Sequence, residues 1–74
     1  MIEKLKSIIC NYTGDSTIVL NKETSLIGDL GLDSLDLVNL ANIIEDEWNI
    51  EIKDRNIKDL KTISDIMILI TQLS

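Results

Sequence analysis

The stretch that decides the fold is LDSLDLVNLANIIEDEW, residues 32–48. Leu37, Leu40, Ala41, Ile44 and Trp48 fall at i, i+3, i+4, i+7 and i+11, the spacing of a helix that buries one stripe. Ahead of the stripe, Asp33 has the short acceptor side chain of an N-cap, and Asp36 follows three residues on. Both carboxylates suit the positive end of a helix. The helix therefore begins at Ser34 and runs to about Asn49. Ser34 itself has two readings, an ordinary first-turn residue or an exposed hydroxyl that carries something. Caps of this kind begin many helices, so the local sequence alone favours the first.

Two features keep the second reading open. Leu35 and Val38 lie off the buried stripe and share a face with Asn42 and Glu45. They form either a docking patch beside the serine or a surface that the preceding loop covers. Charge is also uneven: no Lys or Arg stands between Lys22 and Lys53, while Glu23, Asp29, Asp33, Asp36, Glu45, Asp46, Glu47 and Glu51 all lie there. A block of one sign on a small domain attracts a basic partner surface, although acidity can also serve solubility alone.

On the N-terminal side, Ile2, Leu5, Ile8, Ile9 and Tyr12 keep helical spacing and Gly14 offers a left-handed stop, so a first helix covers about residues 2–13. Residues 14–33 hold all three glycines and scattered apolar side chains (Ile18, Val19, Leu20, Leu26, Ile27, Leu30, Leu32). They read as a long loop that packs down onto the core, a kind of segment that is often functional. TIVL, residues 17–20, has no convincing partner strand and is not assigned as one.

On the C-terminal side, NIEI (residues 49–52) breaks the helical period. Asp54 can cap a short third helix through Leu60, with Ile57 and Leu60 facing inward. Thr62 and Asp65 make a T-x-x-D variant of the capping box. A fourth helix then carries Ile63, Ile66, Met67, Ile70 and Leu73 at core spacing. The fold expected is all-α: a small, irregular four-helix bundle in one domain over residues 1–74. Three helices are long and one short, with a long loop between the first two.

Composition narrows the function. The chain has 74 residues, 45% of them hydrophobic, and a net charge of −6. That charge argues against nucleic acid, whose phosphates need a basic face. No apolar run approaches the roughly 18 residues of a membrane span, so no membrane insertion is expected. Cys10 is the single cysteine, which rules out an internal disulfide, provides no zinc site, and suits a reducing, cytoplasmic setting. Asp29, Gly31 and Asp33 begin a calcium-loop pattern that fails at Ser34 and Leu40. The chain has no histidine, and no base stands near Ser34 in sequence, so hydrolysis by this serine is not expected.

At GLDSL, residues 31–35, the sequence resembles the acyl carrier proteins, whose hallmark is Asp-Ser-Leu at the start of the second helix. The resemblance extends over nearly the whole chain, through the long first loop, the IEI stretch and TISDIMILI. It implies that Ser34 receives 4′-phosphopantetheine from coenzyme A through a separate phosphopantetheinyl transferase, so the protein is a carrier and not an enzyme. It further implies acyl-processing partner enzymes with basic docking patches. These would meet Asp33, Asp36, Glu45 and Asp46, with Leu35 and Val38 as apolar contacts. A monomer is expected.

Some positions depart from the fatty-acid members. Asn39 and Asn42 stand where those members often carry Glu and Met, Lys53 where Pro is common, and Trp48 where Phe is common. Fatty-acid synthesis and a specialised pathway, such as polyketide assembly, both remain open. Two alternatives stand beside them: a peptidyl or aminoacyl carrier, or an unmodified acidic helical interaction domain.

Overall fold

The computed structural model describes residues 1–53 and 57–73. Three helices appear among them: α1 (Ile2–Thr13), α2 (Ser34–Trp48) and α3 (Ile63–Leu73). The Cα radius of gyration is 11.1 Å, against about 11.3 Å expected for a compact domain of this length.

The stripe of α1 buries Leu5 and Ile9 completely, with Ile2, Ile8 and Tyr12 half-buried beside them. Gly14 ends the helix at φ 76°, and its N–H donates to the Cys10 carbonyl at 2.8 Å. This is a left-handed C-cap, in which a residue without Cβ meets no steric penalty. Cys10 lies at the boundary of the core with a free thiol.

In α2 the buried residues are Leu37, Leu40, Ala41 and Ile44. Trp48 is only half-buried, because it also serves as a surface anchor for α1. The Lys4 ammonium lies 5.4 Å from the Trp48 ring centroid and 2.9 Å from Glu47 Oε1. The helix stops at Trp48, one residue short of the expected end, since Asn49 takes a left-handed conformation with φ 54° and caps it. Asn is among the few residues that tolerate that region. Glu45 Oε2 then accepts the Ile52 N–H at 2.9 Å, turning the chain so that Ile52 is buried.

Residues 14–33 contain turns but no helix or strand, and residues 17–20 form no strand pairing among the described residues. The later part of this connection is stitched to the start of α3. Leu26 N–H donates to Lys61 O (2.9 Å), Ile63 N–H to Thr24 O (3.1 Å) and Ser64 N–H to Lys22 O (3.0 Å). The bonds surround a single antiparallel bridge between Ser25 and Thr62. They allow Leu26 and Leu32 to enter the core while Val19 and Ile27 remain exposed.

Thr62 and Asp65 form the reciprocal cap of α3: Thr62 N–H donates to Asp65 Oδ2 (3.1 Å) and Asp65 N–H to Thr62 Oγ1 (3.3 Å). Ile63, Ile66 and Ile70 are buried. Leu73, expected on the core stripe, is exposed, as is the whole last turn over residues 71–73. Helical periodicity continues there, but it does not bring Leu73 into the core, where it stays 40% exposed. Asp54, the expected cap of the short third helix, lies outside the described residues. Of that segment, Leu60 is buried, Ile57 is half-buried, and Leu60 N–H closes a turn onto Ile57 O at 3.1 Å.

Candidate functional site

The site is built where the long connection enters α2. Gly31 takes φ 68°, and a Cβ built there would meet nothing within 4 Å. Glycine is therefore required by backbone conformation and not by space. After it the chain extends, with Asp33 at φ −109° and ψ −176°. Asp33 Oδ1 accepts the Asp36 N–H (2.9 Å), and Asp36 Oδ2 accepts the Asp33 N–H (3.0 Å). This reciprocal cap closes around Ser34 and Leu35. Among the described residues, the amides of Ser34 and Leu35 and the Ser34 hydroxyl have no acceptor or donor within the chain. Ser34 is exposed, and Leu35 is 68% exposed. Of the two possibilities for Leu35, coverage by the loop does not occur.

A second network ties this cap to α1. The Tyr12 hydroxyl donates to Asp36 Oδ1 at 2.6 Å and accepts from Asn39 Nδ2 at 3.0 Å. The phenol's hydrogen bond, followed by that of the Asp33 amide, holds the Asp36 carboxyl below its ordinary range. In turn, donation to Asp36 pushes the Tyr12 phenol up, against a smaller opposing effect of Asn39.

Ser34 opens onto a groove of about 450 Å³, lined by Ile27, Leu37, Val38, Ile57 and Leu60, with Lys58 and Lys61 also in its wall. Its size falls within the range of about 300–1,000 Å³ typical of small-molecule sites. The lining is mainly apolar, and the two lysines bring positive charge to a region otherwise dominated by acids.

The six residues expected to meet partners are not equivalent. Asp33, Leu35, Val38 and Asp46 are exposed, whereas Asp36 and Glu45 are half-buried and each accepts backbone hydrogen bonds. The sequence reading missed Tyr12 and Asn39 as members of the site. A tyrosine at the end of a core stripe could have prompted a search, since its hydroxyl needs a partner. It also missed the groove, whose walls come from three segments distant in sequence and leave no local pattern. Among the described residues, no helix is long and apolar enough to cross a membrane.

Comparison with known proteins gives three concordant results. The family profile described as "Phosphopantetheine attachment site" matches residues 3–70. Acyl carrier proteins of Clostridium perfringens, strains SM101 and 13 among them, are 38% identical over 72 residues, covering 97% of this chain and 95% of theirs. A crystal structure of an acyl carrier protein from Thermotoga maritima superimposes with a TM-score of 0.86 at 25% identity, over 97% of this chain and 84% of that one. With a capped helix start that exposes one serine beside an apolar groove, this chain belongs to the acyl carrier protein family, whose members hold a covalently attached 4′-phosphopantetheine and act as carriers and not catalysts.

Proposed function

We propose that Ser34 is the residue that takes the 4′-phosphopantetheine, and that the protein is a carrier of hydrophobic acyl groups in fatty-acid or related specialised biosynthesis. The observation that carries this reading is the placement of an exposed, unbonded hydroxyl at the first position of α2, at the mouth of the groove. When bound, the group supplies a terminal thiol that carries acyl chains as thioesters.

The residues present fit such a group. Two free amides, of Ser34 and Leu35, lie at the positive end of α2, where a phosphodiester is favoured. Asp33 and Asp36 oppose that charge, and Lys58 and Lys61 in the groove wall offset them. The chain provides no base for the serine, so deprotonation falls to the phosphopantetheinyl transferase that installs the arm from coenzyme A. What the chain contributes is display: Gly31 turns the backbone outward, and the Asp33–Asp36 cap fixes the direction of Ser34.

The apolar walls of Ile27, Leu37, Val38, Ile57 and Leu60 suit an alkyl chain better than an aminoacyl group. Leu35, at 68% exposure, and Val38, at 40%, stand free on the face of Asp33 and Asp46. We assign this face to transferase and acyl-processing enzymes with basic docking patches, with Asp36 and Glu45 adding to its field. The single domain over residues 1–74 works as a cytoplasmic monomer in this reading, supported by its lone cysteine and acidic charge.

Incubation of the apo protein with coenzyme A and a broad-specificity phosphopantetheinyl transferase should add one phosphopantetheine to the intact mass, and Ser34→Ala should abolish the gain. An unchanged wild-type mass sinks the reading.

A further inference from the structure

We infer that Tyr12 is a positioning residue that withholds Asp36 from partners, so that the acids α2 presents are chiefly Asp33, next to Ser34, and Asp46, about 18 Å further along the helix. The inference rests on the reading of the α2 face as a docking surface.

Each oxygen of Asp36 already accepts one hydrogen bond. Oδ1 accepts the Tyr12 hydroxyl at 2.6 Å and Oδ2 accepts the Asp33 N–H at 3.0 Å. A hydrogen bond to a carboxylate from a hydroxyl at such a distance is among the stronger ones. Asn39 adds direction. Because its amide donates to the phenol oxygen at 3.0 Å, the hydroxyl proton is left to point at Asp36 and nowhere else. The three side chains tie α1 to α2, so a partner's Lys or Arg shares Oδ1 with the phenol or reaches the remaining lone pairs of a carboxylate already turned toward α1. Asp46, by contrast, is exposed and accepts no hydrogen bond among the described residues. The asparagine at position 39 thus has a local cause in this chain: it completes the tyrosine's hydrogen bonding. The partner chemistry that follows is a basic patch aimed at Asp33 and Asp46, with no strong cation required opposite Asp36.

The test is a cycle of loading kinetics with a broad-specificity phosphopantetheinyl transferase at low salt, using wild type, Tyr12→Phe, Asp36→Asn and the double variant. Asp46→Asn and Leu35→Ala serve as reporters of the docking face. Folding of each variant is checked by circular dichroism. Tyr12→Phe frees Asp36 and is expected to lower KM about three-fold with kcat changed less than two-fold. Asp36→Asn alone is expected to raise KM less than Asp46→Asn does, and in the double variant it removes the gain. A ¹³C carboxyl titration should show the Asp36 midpoint rising in Tyr12→Phe, a readout that loss of packing alone does not produce. Additive effects in the cycle, a fall in kcat in place of KM, or an unmoved Asp36 midpoint overturns the inference while Asp46→Asn still raises KM. If Asp46→Asn and Leu35→Ala both leave KM unchanged, the docking reading fails and the inference fails with it.

Discussion

The Tyr12 hydroxyl lies 2.6 Å from Asp36 Oδ1, joining the last turn of α1 to the first turn of α2, two residues from Ser34. This bond couples stability to pH at both ends of the scale. Asp36 is held below its ordinary value, chiefly by Tyr12. A carboxyl lowered in the fold stabilises above the ordinary carboxylate range, and that contribution is lost as pH falls through the folded value. Tyr12 is pushed above its ordinary value, chiefly by Asp36. Its contribution is complete below the ordinary phenol range and is lost as pH rises through the folded value. Thermal unfolding followed against pH should therefore show a plateau with two limbs. Tyr12→Phe should remove its part of the alkaline limb and make the acid limb shallower. Asp15, lowered by its hydrogen bonds from Thr17, keeps its own part of the acid limb. Superimposable profiles for the two proteins would count against the coupling.

Gly31 stands at φ 68° with open space where a Cβ would project. The cost of Gly31→Ala is thus conformational, about 1–2 kcal/mol, and Gly31→Asn should cost less because Asn visits the left-handed region more readily. Urea unfolding measures both. Equal costs for the two variants would show that backbone conformation is not what selects glycine here.

The connection before α2 is a structural element in its own right. Leu26 is fully buried and its N–H is held by Lys61 O, whereas Val19 in the same connection is 79% exposed. Leu26→Ala should cost about 3 kcal/mol, within the span seen for buried leucines, and Val19→Ala no more than about 0.5 kcal/mol. Comparable losses at the two positions would mean that the connection is not anchored as described.

The same contrast explains what could be read from sequence. The helices were legible at Leu37–Leu40–Ile44 and at Leu5–Ile9, because a helix that buries one face repeats that face in the chain. The reciprocal caps at Asp33/Asp36 and Thr62/Asp65 were legible for the same reason, as local patterns. Leu73 was misplaced because periodicity marks a face without saying whether anything lies opposite it. Ser34 was legible as a candidate through its setting, Gly31-Leu32-Asp33-Ser34-Leu35. Its surroundings were not: Ile27, Leu37 and Leu60 meet at one groove only after residues 22–26 are stitched to residues 61–64. The Tyr12–Asn39 contact is likewise a product of how α1 packs on α2.

The groove makes a prediction about cargo. Each methylene removed from water contributes about 0.8 kcal/mol before the cost of ordering the chain. An octanoyl group on the holo protein should therefore raise Tm relative to an acetyl group. About 1 kcal/mol of net burial corresponds to roughly 4–8 °C for a domain of this size. Narrowing the groove with Val38→Trp should reduce the difference between the two cargoes. If octanoyl, acetyl and alanyl forms unfold at the same temperature, the groove does not take the chain.

The most direct measurement is the position of the modification itself. Since no Lys or Arg lies between Lys22 and Lys53, trypsin releases residues 23–53 as one peptide, which contains both Ser25 and Ser34. Fragmentation of that peptide by tandem mass spectrometry, after loading with coenzyme A and transferase, separates the two serines. A phosphopantetheine mass confined to Ser34 is the expected result. The same mass on Ser25, on a serine of another peptide, or on none of them overturns the assignment of Ser34 as the attachment residue.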